Sequence, residues 1–128
     1  MTDPIRVMVV DDHEVVRRGL IAYLRAFKDM EFVGQATDGE EAVLLAAQLK
    51  PDVILMDMVM PNLDGIEATR QIHQAHPHIR VLSLTSMTDS DLIRQALEAG
   101  ASGYLNKNTS VKELSAAIHN AVSTPQVS

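Results

Sequence analysis

Five runs of β-type residues, each followed by a stretch with helical spacing, restrict this chain to very few folds. The strand candidates are Ile5–Val10, Phe32–Ala36, Val53–Met56, Val81–Leu84 and Gly103–Leu105. Helical patterns fall at about Glu14–Phe27, Gly39–Leu49, Gly65–His76, Ser90–Ala99 and Val111–Val122. Val15, Val16, Gly19, Leu20, Tyr23 and Leu24 fall on one helical face, and Leu92, Ala96, Leu97 and Leu114, Ala117, Ile118, Ala121 do likewise. Cap signals agree with these limits: Asp38 or Gly39 opens a helix, Gly100 closes one, and Ser110 precedes Glu113 by three. Strands alternating with single helices require right-handed crossovers, and therefore a parallel sheet with helices on both faces. The 128 residues suffice for one such α/β domain, expected over residues 1–122, with 123–128 as a tail or linker start.

In sheets of this kind ligands bind outside the carboxyl ends of the strands. The residues at those ends therefore carry the functional question. Asp11 and Asp12 come after the first strand, Asp57 ends the third, Thr85 and Ser86 the fourth, and Lys107 the fifth. Asp57 stands out because "VILMDMVMP" is otherwise apolar, and burying an ionised carboxylate is costly. Each residue has a plain explanation by itself. The Asp pair could cap the first helix, Asp57 could form a turn, Thr85 or Ser86 could be a cap, and Lys107 a solvated surface charge. Together they place three carboxylates, a hydroxyl and an ammonium at one edge. Crowded carboxylates raise one another's pKa unless a cation intervenes. A hard ion such as Mg²⁺, which takes carboxylates, water and phosphate oxygens, suits that set.

Composition removes several alternatives. No cysteine is present, so disulfides, thiolate metal sites and a cysteine nucleophile are excluded. A net charge of −6 argues against a duplex-binding surface in this segment, and the absence of Trp with only two Tyr and two Phe argues against base stacking. "IRVMVV" is too short for a signal peptide or membrane span, so a soluble, cytoplasmic protein is expected. "VVDDHEVVRRG" lacks the Gly-rich turn of a dinucleotide-binding domain. His73, His76 and His78 in "HQAHPH" fit partners of a helix carboxyl end better than a metal site.

"VVDDH", "LMDMVMPNLDG", "LSLTS" and "GYLNK", in this order and spacing, resemble the receiver domain of bacterial two-component response regulators. The likeness runs from about Ile5 to Ala121, and "DDHEVVRRGL" with "ALEAGASGYLNK" is most similar to the NarL/LuxR-type subfamily. The resemblance implies a flavodoxin-like sheet of strand order 2-1-3-4-5. It also implies that Asp57 takes a phosphoryl group from a sensor histidine kinase, as a phosphoacceptor rather than a turnover enzyme. Mg²⁺ would be held by Asp12, by Asp11 (directly or through water), by Asp57 and by the Val59 carbonyl. Lys107 would pair with the phosphoryl oxygens, Thr85 would donate to one of them, and Tyr104 would be the aromatic of the switch. A homodimer on phosphorylation is implied, through the fourth helix and fifth strand or through the first and fifth helices. DNA would be contacted only by a LuxR-type helix-turn-helix beyond Ser128.

Other readings remain. A stand-alone receiver would act by phosphotransfer or protein contact. An aspartate-nucleophile phosphatase needs a second Asp two residues after the nucleophile, where Val59 stands. Asn108 occupies a position where many receivers carry a cis proline, which leaves the Lys107–Asn108 bond either trans or strained. Val59 and Met87 are both apolar beside the expected path of an attacking water, which implies slow loss of the phosphoryl group.

Overall fold

The computed structural model describes residues 3–60, 63–85 and 90–123. Its elements are β1 (Ile5–Val10), α1 (Glu14–Ala26), β2 (Met30–Ala36), α2 (Gly39–Leu49) and β3 (Val53–Asp57), then α3 (Gly65–Ala75), β4 (Arg80–Thr85), α4 (Ser90–Glu98), β5 (Gly103–Asn106) and α5 (Val111–Ser123). The strands pair in the order β2-β1-β3-β4-β5, all parallel. The parallel sheet is what the alternation of patterns requires, and its order is the doubly wound, flavodoxin-like one that the family resemblance implies.

Alternate strand residues point to opposite faces, so each strand supplies two cores. Met8, Val10, Ile54 and Met56 pack with Ala42 and Ala46 of α2 and Ala68 and Ile72 of α3. Val7, Val9, Val53 and Leu55 pack instead with Leu20 and Leu24 of α1 and with Leu114 and Ile118 of α5. β3 is buried along its whole length, which is why its sequence is a continuous apolar run rather than an alternating one. Truncating a buried Leu or Ile in such a core to alanine costs about 2–5 kcal/mol. That rigidity is what lets a strand end hold a charged group in place.

The helix starts agree with the cap signals. Asp38 Oδ1 accepts from the Glu41 N–H and Asp64 Oδ1 from the Glu67 N–H, both at 2.9 Å. Ser110 Oγ accepts from the Glu113 N–H at 3.1 Å. After α4 the chain turns at Gly100, whose φ of +116° suits glycine alone, and the His73 ring lies where a side chain would go. At α1 the plain alternative, a cap by Asp11 or Asp12, does not occur. His13 holds the cap position and makes no side-chain capping bond, which leaves both aspartates to the sheet edge. His76 and His78 meet edge to face at 6.2 Å, and among the described residues they join no cluster of potential metal ligands. No described helix is long and apolar enough to cross a membrane. Ser86, Met87, Pro61 and residues 124–128 lie outside the described residues.

Candidate functional site

β1, β3 and β5 bring Asp11, Asp57 and Lys107 together at the carboxyl edge of the sheet. Asp11 is fully buried and Asp57 is 3% exposed. The Lys107 ammonium bridges them, 3.0 Å from Asp11 Oδ2 and 3.2 Å from Asp57 Oδ1. Asp12 is more open and stands beside Asp11, and together with His13 and Asp57 these residues can offer ligand atoms within 4.8 Å of one another. Of the residues singled out in the sequence, these four (Asp11, Asp12, Asp57 and Lys107) are the ones the fold gathers.

Backbone contacts fix each member. The Asp11 N–H donates to the Ala36 carbonyl of β2 at 3.2 Å, and the Asp11 carbonyl accepts from Arg17 Nη1 at 2.8 Å. Arg17 Nε also donates to Gln35 Oε1 at 3.0 Å, so one guanidinium ties the loop after β1 to both α1 and β2. Behind Asp57, a side chain at Gly65 would run into the Asp57 carbonyl, and the Gly65 N–H donates to the Met58 carbonyl at 3.1 Å. Glycine is therefore required there for α3 to approach the strand end. The Lys107 N–H donates to the Thr85 carbonyl at 2.7 Å, which registers the loop after β5 against the end of β4. No cis peptide is found among the described residues, so the Lys107–Asn108 bond is trans, as the cost of a cis bond before a non-proline requires.

Three expected members stand differently. Thr85 is buried at the end of β4, beside Asn106 in the register. Tyr104 lies outside the acidic corner, 53% exposed, against a shallow cavity lined by Ile93, Arg94 and Leu97 of α4. Val59 is also exposed, and its N–H donates to Asp57 Oδ1 at 3.2 Å.

The electrostatics are unbalanced. Burial, followed by the charge of Asp11, pushes the Asp57 carboxyl above its ordinary range, and Lys107 and the Val59 N–H only partly oppose this. Burial would lower Lys107, but its hydrogen bond to Asp11 and the charges of Asp57 and Asp11 outweigh that and hold the ammonium above its usual value. One ammonium cannot neutralise three carboxylates. Asp57 Oδ2 is buried with no hydrogen-bond partner, and Asp11 Oδ2 is buried against the Lys107 ammonium at 3.0 Å. Buried polar atoms are normally satisfied, so an orphaned carboxylate oxygen is a donor still available to a ligand. Hard carboxylate donors with spare lone pairs fit a divalent cation of the Mg²⁺ type.

His13, Arg17 and Ser83 were not singled out in the sequence. Ser83 is fully buried with an unpaired hydroxyl on β4. The adjacency of His13 to the Asp pair was the one available signal, and side-chain direction decided its role.

A parallel sheet of this order with acidic groups and a lysine converging at its carboxyl edge defines a class of phosphate- and cation-handling α/β domain. The chain belongs to the response regulator receiver domain family, whose pattern matches residues 7–119. It is 50% identical over 117 residues to the transcriptional regulatory protein LiaR of Bacillus subtilis, covering 91% of this chain and 56% of LiaR. Among solved structures, the signal receiver domain of the response regulator NarL from Mycobacterium tuberculosis superposes with a TM-score of 0.92 at 31% identity, covering 97% of this chain and all of that one. A LuxR-family two-component response regulator from Aurantimonas gives a TM-score of 0.88 at 37% identity, covering 94% and 86%. These likenesses put the chain with the NarL/LuxR-type receivers. It spans about half the length of the curated relatives it matches.

Proposed function

We propose that this domain accepts a phosphoryl group on Asp57 from the phosphohistidine of a sensor histidine kinase and relays that event to a LuxR-type DNA-binding part that regulates transcription. The observation that carries the reading is the buried Asp57 carboxylate, with one oxygen orphaned and the other against Lys107. An Asp57 oxygen would form the new O–P bond as the N–P bond of the donor breaks, and the electron pair would leave with the imidazole. Asp11, Asp12, Asp57 and the Val59 carbonyl would hold Mg²⁺, which neutralises charge on the phosphoryl oxygens when bound. Lys107 would shift from the carboxylates to a phosphoryl oxygen, and the Thr85 hydroxyl would donate to another. Phosphoryl transfer asks mainly for positioning and charge neutralisation, which this set supplies.

Tyr104, exposed on β5, has room to turn inward as Thr85 moves toward the phosphate, biasing the surface of α4 and β5. A homodimer formed on phosphorylation, through that surface or through α1 and α5, would be the readout. A turnover phosphatase is disfavoured because exposed, apolar Val59 offers no proton carrier two residues after Asp57. A stand-alone receiver would keep the same chemistry and lack only a DNA-binding part after Ser128.

The test uses a small phosphodonor with Mg²⁺. The chain should gain one acid-labile phosphoryl group and sediment as a dimer. Labelling that survives chelation of Mg²⁺, or a phosphorylated chain that stays monomeric at high concentration, would count against the corresponding half of the proposal. A calorimetric titration addresses the metal separately: Asp12→Ala should weaken Mg²⁺ binding about tenfold or more, since one of few charged ligands is removed. Unchanged binding in both Asp12→Ala and Asp11→Ala would remove the cation from this corner.

The lifetime of the phosphorylated state is the third readout. With Val59 and Met87 both apolar, no side chain at those positions can orient an in-line water. Val59→Asn combined with Met87→Glu should shorten the lifetime by about tenfold or more, on the scale of general acid–base effects. A decay no faster than the parent's would show that backbone geometry sets the rate.

A further inference from the structure

His13 is the residue of the acidic corner without an assigned task. It occupies the cap position of α1, with φ −96° and ψ 114°, yet its ring does not cap the helix. The ring turns back instead, placing Nδ1 2.9 Å from Asp11 Oδ1 and 3.2 Å from Asp12 Oδ1. The backbone N–H of His13 donates to the same Asp11 oxygen at 2.8 Å, which locks the turn that aims the ring. These separations have a meaning beyond hydrogen bonding. For a cation with ligands at about 2.1 Å in an octahedron, neighbouring donor atoms lie about 3 Å apart. Asp11 Oδ1 and Asp12 Oδ1 each lie from His13 Nδ1 at the spacing of adjacent donors around one ion, and the offered ligand atoms of the cluster lie within 4.8 Å of one another.

A second observation points to a ligand at the same place. Asp57 is buried, its Oδ2 has no partner, and the residue offers a carboxylate oxygen to the same cluster as His13. We propose that His13 is a nitrogen ligand of this corner, and that it tilts the site from Mg²⁺ toward divalent ions that accept imidazole, such as Mn²⁺, Co²⁺ or Zn²⁺. The inference rests on reading the corner as the cation site of the phosphoacceptor. Its chemical basis is donor type: Mg²⁺ takes oxygen almost exclusively, whereas the later divalent ions gain from an imidazole nitrogen. The His13 side chain is 63% exposed, so the ring is free to settle onto an incoming ion without repacking the core.

Titration of the whole chain with Mg²⁺ and with Co²⁺ separates the two levels of the proposal. His13→Ala should weaken Co²⁺ binding by about tenfold or more while changing Mg²⁺ binding by less than about threefold. His13→Gln, which keeps a polar side chain but offers oxygen or amide in place of imidazole, should behave like His13→Ala. The visible absorption of bound Co²⁺ should shift in both variants, because a nitrogen ligand has been lost. Equal loss for both ions, or Co²⁺ binding and absorption that do not change, would overturn nitrogen ligation by His13. Failure of the parent chain to bind either ion would instead bring down the cation reading of the corner, and this inference with it.

Discussion

Asp57→Asn should take up no phosphoryl group under conditions that label the parent to one per chain, and it should also melt at a higher temperature. The first effect would be the loss of the proposed nucleophile, because an amide oxygen in a shape-matched side chain does not attack phosphorus at a useful rate. The second arises from the electrostatics of the corner. Burial and the neighbouring Asp11 charge raise the Asp57 carboxyl above its ordinary range, so the folded protein holds that proton more tightly than the unfolded chain does. The stability associated with that group is fully present below the ordinary carboxyl pKa and is lost as pH rises through the raised folded value. The neutral amide does not suffer this loss. The variant should therefore exceed the parent by about 1 kcal/mol or more at neutral pH, within the range seen when buried ionic groups are replaced. That corresponds to a melting temperature higher by a few degrees. The gap should close as the pH falls into the acidic range. Melting curves across that range, read beside a phosphorylation assay, test both statements. Equal labelling, or a variant less stable than the parent at neutral pH, would contradict the assignment.

Lys107→Ala should do the opposite. The ammonium lies within 3.2 Å of both buried carboxylates, and no other lysine or arginine is ion-paired with either among the described residues. Removing it leaves Asp11 and Asp57 facing one another without compensation, at a cost of about 3 kcal/mol. The same removal frees oxygens that a metal can use, so the variant should bind Mg²⁺ more tightly than the parent. Saturating Mg²⁺ should then recover most of the lost stability, since an ion that binds only the folded state stabilises it in proportion to the logarithm of its concentration over Kd. Urea unfolding with and without Mg²⁺ gives the comparison. If Mg²⁺ stabilises parent and variant by the same amount, Lys107 and the metal do not compete for the same carboxylates. Phosphorylation of the variant is expected to persist while the dimer response fails, because in the proposed reaction Lys107 would serve the phosphoryl oxygens after transfer.

Strand and helix identities were legible because hydrophobic spacing reports burial. Their ends were less so, because hydrogen-bonded pairing continues into polar residues. β2 begins at Met30, pairing with Ile5 before the expected Phe32, and β5 runs to Asn106 because that residue pairs with Thr85. Asp11, Asp57 and Lys107 could be brought together on paper because strand order and the carboxyl-edge rule determine where strand ends lie. His13 and Arg17 could not be assigned in the same way. Spacing places them near the edge, but only the rotamers show that one ring turns back to the carboxylates and one guanidinium spans from Asp11 to Gln35.

The lysine bridge has a consequence for how the chain is made. Synthesis runs from the amino end, so β1 and β3 can pair while β5 is still inside the ribosome. During that interval Asp11 and Asp57 approach each other without the ammonium that bridges them in the finished domain. The two carboxylates then face each other without compensation, and the half-built sheet is weakened at that edge. Arrival of the last strand relieves the clash, giving nascent chains an electrostatic incentive to complete the sheet.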